Sequence, residues 1–281
     1  MERFVHVSTV LFVAVLLAPS FGEELEIKWD EIAYSEVDGK KAMGYVARPL
    51  IEGKRPAVVL IHEWWGLNDD IKSKSREFAK LGYVALAVDL YDGKSTTDQG
   101  EASQLAGAVR GNMEAAQQNL SDAIATLKKS RHVDPDRIAS IGWCFGGGWS
   151  YQMAKNNWGV KASVIYYGFF NPEDDLQKMR AEIIGHFAEN DRAIRIDNVK
   201  EFQAKLKTLQ GDHEIYIYPN TTHGFASRKG SNPAYNAEAA ELAWKRTQDF
   251  LKKHVVGKEP ESTDASPTKT TESVSDDAKG R

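Results

Sequence analysis

Short apolar runs alternate along the chain with longer stretches of helical spacing. The runs are residues 57–61 (AVVLI), 83–90 (YVALAVDL), 137–143 (RIASIGW), 162–167 (ASVIYY), 182–187 (EIIGHF) and 214–218 (EIYIY). They are nearly continuous in apolar residues, the pattern of strands buried on both faces of a parallel sheet. Between them, residues 71–81, 113–129, 147–156, 199–209 and 237–254 set apolar positions at helical intervals. Such alternation predicts an α/β protein: a doubly wound, mostly parallel sheet with helices on both faces. Ahead of it, residues 27–34 and 41–48 flank Asp38-Gly39 and predict a hairpin at the sheet edge. No internal repeat or second domain is visible, so one domain over residues 23–256 is expected.

The two ends of the chain follow other rules. Arg3 and His6 precede an apolar run over 7–18, followed by Pro19, Ser20, Phe21 and Gly22. This reads as a signal peptide over residues 1–22, with Ser20 and Gly22 as the small residues of a cleavage site. The run is too short for a comfortable membrane span. Export is therefore expected, to the periplasm or the medium, with no membrane association once the segment is removed. Residues 257–281 are almost all Ser, Thr, Lys, Asp, Glu and Pro, and cannot bury enough apolar surface to order, so a disordered tail is expected.

Composition narrows the partners. A formal charge of -4 and a pI near 6.0 supply no basic field for nucleic acid or an anionic membrane. A small-molecule ligand and a monomer are the expectation. The single cysteine, Cys144, has no partner for an internal disulfide, although an oxidising compartment favours paired thiols. A lone thiol there is either a buried small hydrophobe or is kept for its reactivity.

Open α/β sheets place their chemistry beyond the carboxyl ends of the strands. Residues 137–143 run into Gly142-Trp143-Cys144-Phe145-Gly146, with Gly147 and Gly148 following. This is the G-x-C-x-G form of a nucleophile elbow, in which flanking glycines let strand and helix approach and the apex side chain faces the cleft. N–H groups at the start of the next helix would favour a thiolate. Asp191 follows the run ending at Phe187, and His223 follows the one ending at Tyr218. That is the order nucleophile, acid, histidine which an α/β-hydrolase requires. Backbone N–H groups of Phe145 and Trp64 are the expected oxyanion donors.

The stretch GWCFGGG, the loop at Asp191, the HGF at His223 and residues 62–68 (HEWWGLN) together resemble the dienelactone hydrolase family, over most of 27–254. The resemblance implies an α/β-hydrolase fold, a Cys-Asp-His triad at Cys144, Asp191 and His223, and a glutamate, Glu63, that takes the thiol proton when substrate arrives. It implies hydrolysis of a carboxylic ester or lactone, with no metal or organic cofactor. His62-Glu63 also opens an H-E-x-x pattern, but Gly66 stands where a second zinc ligand would be needed.

The family places carboxylate-binding arginines after a D-L-Y strand end and four residues past the histidine. Here Asp89-Leu90-Tyr91 is followed by Asp92, Gly93 and Lys94, and Ser227 stands four past His223 with Arg228 next. Lys94 and Arg228 are the cations nearest those places, although a lysine lacks the planar fork that matches a carboxylate. Trp64, Trp65, Tyr91 and Phe225 suggest an aromatic rim. A broad esterase or acyltransferase on the same scaffold, and a binding protein that kept the fold, are the alternatives, because function lives in the site.

Overall fold

The computed structural model describes residues 24–37, 39–227 and 232–257. The expected signal peptide, the tail beyond Gly257, Asp38 of the hairpin turn and Arg228 lie outside them. Within them the chain runs β1 (Ile27–Val37), β2 (Lys40–Pro49), β3 (Arg55–Ile61), α1 (Asp69–Lys80), β4 (Val84–Val88), α2 (Gln99–Gly111), α3 (Met113–Lys129) and β5 (Val133–Trp143). It continues through α4 (Phe145–Lys155), β6 (Ala162–Tyr166), β7 (Glu182–Ala188), α5 (Ile196–Leu206), β8 (Glu214–Tyr218) and α6 (Ala237–Leu251), closing in a short π-turn at Lys252–Val256.

The strands form one sheet in the order β1-β2-β4-β3-β5-β6-β7-β8. From β4 to β8 every pairing is parallel, and the β1-β2 hairpin joins antiparallel to β4. This is the α/β-hydrolase fold.

Period-two alternation inside the apolar runs divides the core. Val59 and Ile61 point to one face, where Ala106 of α2, Leu120 of α3, Trp149 of α4 and Phe202 of α5 pack. Val58 and Leu60 point to the other, covered by Ile71 and Phe78 of α1 and Ala243 and Phe250 of α6. Each fully buried Leu, Ile or Phe contributes about 2 kcal/mol of apolar transfer. The sheet is thereby fixed in register, because a one-residue slip would exchange the two faces.

Helix starts are marked by side chains that accept from the first turn: Asn68 for α1, Asp98 for α2, Asn112 for α3 and Asn236 for α6. α4 and α5 have no side-chain cap, and the N-cap of α4 is Cys144. The first N–H groups of a helix have no partner within it, so those of α4 are left to whatever sits in front of Cys144. α2 is an element that apolar spacing does not predict.

Candidate active site

A single residue carries the chain from β5 into α4. Cys144 adopts φ 53° and ψ -114°, a conformation that costs a residue with a Cβ about 1–3 kcal/mol. Its N–H donates to the Tyr166 carbonyl at 2.9 Å, tying the apex to β6. The glycines on either side are required by contact. A Cβ on Gly142 would lie 2.1 Å from the Gly146 carbonyl oxygen, and one on Gly146 would lie 2.2 Å from that of Ile61. The start of α4 is thus pressed against the end of β3, beside the loop that carries Glu63 and Trp64.

His223 joins the three expected triad members. Its Nε2 lies 3.0 Å from Cys144 Sγ and its Nδ1 lies 2.8 Å from Asp191 Oδ2. The other carboxylate oxygen of Asp191 accepts from the N–H groups of Ala193 and Ile194 at 2.7 and 3.0 Å, which fixes its plane. The loops after β7 and β8 are stitched together: Glu189 N–H donates to the Tyr218 carbonyl and Asn190 N–H to that of Thr221. Asp197, the other acid in this region, is instead exposed and faces Arg195.

The electrostatics follow from this chain of contacts. Burial pushes the Asp191 carboxyl up, but the hydrogen bond and charge of His223 and the two backbone donors outweigh it and hold it below its ordinary range. Burial pushes His223 down, yet the hydrogen bonds and charges of Asp191 and Cys144 prevail and raise it to about 10. The ring is held between a carboxylate and a sulfur, and both contacts favour its charged form.

A cleft of about 540 Å³ opens over Cys144 and His223. Met113, Trp149, Phe169 and Ile194 make it largely apolar, and Arg110 of α2 adds a guanidinium 5.7 Å from the centre of the Phe145 ring. Arg110 escaped the sequence reading together with the helix that bears it. Phe145 is the first residue of α4, as expected for an oxyanion donor, and Trp64 is half-buried against the core.

Other expected residues sit elsewhere. Lys94 and Tyr91 line a separate cavity of about 280 Å³ whose lining does not include Cys144, and the Tyr91 ring packs against His62 and Phe145. Phe225 is fully buried between Tyr167 and Tyr218 and so packs the core instead of forming a rim. Trp65 packs on Trp64, with ring centres 4.8 Å apart.

Glu63 is half-buried and accepts from the Ser227 hydroxyl at 3.0 Å. Burial raises its carboxyl above the usual range, against the opposing effects of Lys74, Ser227 and His223. Among the described residues, no group of three or more His, Cys, Asp or Glu side chains is placed to hold a metal ion.

Residues 42–255 match the Dienelactone hydrolase family. The chain belongs to this family. Among its relatives is a "Putative carboxymethylenebutenolidase" of Saccharolobus solfataricus, 31% identical over 259 residues and covering 79% of this chain and 98% of the relative. A "Probable 2-oxo-3-(5-oxofuran-2-ylidene)propanoate lactonase" of Bradyrhizobium sp. is 27% identical over 248 residues, covering 84% and 98%. Among solved structures, a dienelactone hydrolase-like promiscuous phosphotriesterase from metagenomic libraries superposes with a TM-score of 0.75 at 22% identity, over 81% of this chain and 98% of that one. The last comparison speaks for the fold. As a dienelactone hydrolase family member, the protein is an ester or lactone hydrolase.

Proposed function

We propose that the protein cleaves a small carboxylic ester or lactone through an acyl-enzyme on Cys144. The observation that carries this reading is His223, within hydrogen-bond distance of both the Cys144 sulfur and the Asp191 carboxylate. The thiolate attacks the carbonyl, and the new oxyanion is held by the N–H groups of Phe145 and Trp64. His223 protonates the departing oxygen while Asp191 stabilises its orientation and charge. The same ring then activates water, which releases the acid from the thioester. Glu63 takes up the thiol proton as substrate arrives, which suits a carboxyl raised by burial.

The apolar cleft favours an acyl group of some bulk, and Arg110 rather than Lys94 is the cation placed to meet an anionic substituent on it. The N-terminal segment supports export, which N-terminal sequencing of the mature protein tests: a start at Glu23 agrees and an intact Met1 refutes it.

The activity test is hydrolysis of a panel of chromogenic short-chain esters and lactones, dienelactone included, by the protein and by Cys144→Ala. Loss of at least about 10³-fold in the variant is expected, as for removal of other nucleophiles. Retained turnover refutes the acyl-enzyme.

A further inference from the structure

His62 follows β3 directly, just ahead of Glu63, and neither the metal pattern nor the triad accounts for it. It is wholly buried, and both of its ring nitrogens are bonded to backbone. The Leu90 N–H, just past β4, donates to Nε2 at 3.2 Å, and Nδ1 lies 2.6 Å from the Glu63 carbonyl oxygen. An amide N–H can only donate and a carbonyl can only accept, so one form of the ring serves both: the neutral tautomer with its proton on Nδ1. Burial favours that uncharged form, against the opposing effects of the Glu63 carbonyl and the Asp89 charge. The ring is also clamped by its neighbours. It stacks on Phe145 with centres 5.7 Å apart and planes 16° from parallel, and meets Tyr91 edge to face at 4.6 Å.

The carbonyl that His62 holds belongs to the peptide between Glu63 and Trp64, whose N–H is an oxyanion donor in the proposed reaction. A peptide is planar, and in the trans form found here its C=O and N–H point in opposite directions, so whatever fixes the one aims the other. The Gly66 N–H adds a second donor to the same oxygen at 3.2 Å, closing a tight turn over residues 63–66. The Trp64 N–H itself meets no acceptor among the described residues. Donors on a carbonyl also polarise its amide, which strengthens the N–H by roughly 10–30% per bond. Phe145, the other expected oxyanion donor, is the residue on which the ring stacks. One side chain thus touches both halves of the hole.

We propose that His62 is a positioning residue of the oxyanion hole, holding the Glu63–Trp64 peptide so that the Trp64 N–H is aimed before substrate arrives. The ring keeps its proton throughout and touches no reacting atom. A donor fixed in advance acts where negative charge develops in the transition state, so the effect of His62 falls on kcat and not on ground-state binding. The role rests on the acyl-enzyme reading above.

The test compares kcat and KM of the parent, His62→Leu and His62→Asn on the best ester of the panel, together with the rate at which iodoacetamide alkylates Cys144. His62→Leu is expected to lower kcat about 100-fold, the low end for loss of an oxyanion donor, with KM within about threefold. His62→Asn keeps an N–H donor at the place of Nδ1 and is expected to recover to within about tenfold of the parent. Alkylation passes through no oxyanion, so its rate is expected to stay within about twofold in both variants. Alkylation slowed as much as kcat reports a general distortion of the site and overturns the proposal, as does a His62→Leu enzyme with the parent kcat. Should His62→Leu fail to fold, His62→Gln takes its place: its amide reaches toward Leu90 instead of the Glu63 carbonyl, so it is expected to be slower than His62→Asn, and the reverse order overturns the role. Nitrogen-15 NMR of the labelled parent needs no variant, and a proton on Nε2 in place of Nδ1 has the same force. Turnover by Cys144→Ala would instead remove the acyl-enzyme, whereas an inactive Cys144→Ala beside an unimpaired His62→Leu removes the role of His62 alone.

Discussion

His223 touches two groups that favour its charged form, and this makes the ring a measurable reporter. In Cys144→Ala, the ring loses one of the two partners that raise it, so its NMR titration is expected to move down from about 10 toward the ordinary 6.5. An unmoved midpoint would contradict the contact. The same shift fixes a sign for stability. A histidine whose folded value is raised contributes fully below 6.5 and loses that contribution as pH rises through about 10. Asp191, held low, bounds the window on the acid side, where its contribution is lost as the carboxylate is protonated. Urea unfolding of the parent and of His223→Gln is expected to show a stability gap that is widest near pH 6 and closes toward pH 10.5. A gap independent of pH would refute the pairing. Asp191→Asn is expected to cut kcat by about 10⁴-fold while leaving Cys144 in place, through loss of the ring's tautomer and charge support.

At the level of elements, the elbow is the most constrained join in the chain. Gly146→Ala would press a methyl group against the backbone of β3, where nothing flexible can yield, and is expected to cost about 3 kcal/mol in thermal or urea unfolding. Much of this join was legible beforehand, because glycines around a lone cysteine at a strand end have few other uses. The strands and five of the helices were legible for a similar reason: their apolar residues are large and recur at a clear period. α2 was not, since it buries Ala102 and Ala106 and carries Gly100, Gly107 and Gly111, so its inward face is written in small residues that a hydrophobic pattern does not display. With it went Arg110. Lys94 was chosen instead by its distance along the chain, and it lines the neighbouring cavity. Arg110→Gln is expected to reduce the preference for an ester of a dicarboxylic monoacid over its neutral analogue about tenfold, the size of one charge-assisted contact. An unchanged ratio would take Arg110 out of substrate recognition.

The whole molecule adds an acid limit that lies outside the cleft. His186 of β7 is fully buried, with one ring nitrogen on the Tyr218 hydroxyl and the other on that of Thr247, which also meets Tyr166. Burial, aided by the charge of Arg246, pulls it down to about 3, so it is neutral in the fold. The unfolded chain takes up that proton below 6.5, and stability is expected to fall by up to one proton's slope between 6.5 and about 3. In His186→Gln that part of the slope should vanish, by urea unfolding at a series of pH values. The sheet also sets when the site comes into being. In the proposed triad Cys144 follows β5, Asp191 β7 and His223 β8, so the thiol is synthesised well before the two residues that meet it. Until the last strand has docked at the sheet's far edge, the chain carries a thiol without the two side chains that complete the proposed triad. On the proposed mechanism, the appearance of turnover during refolding is therefore expected to be a clock for the final docking step and not for collapse, with a chain that lacks β8 quiet toward esters.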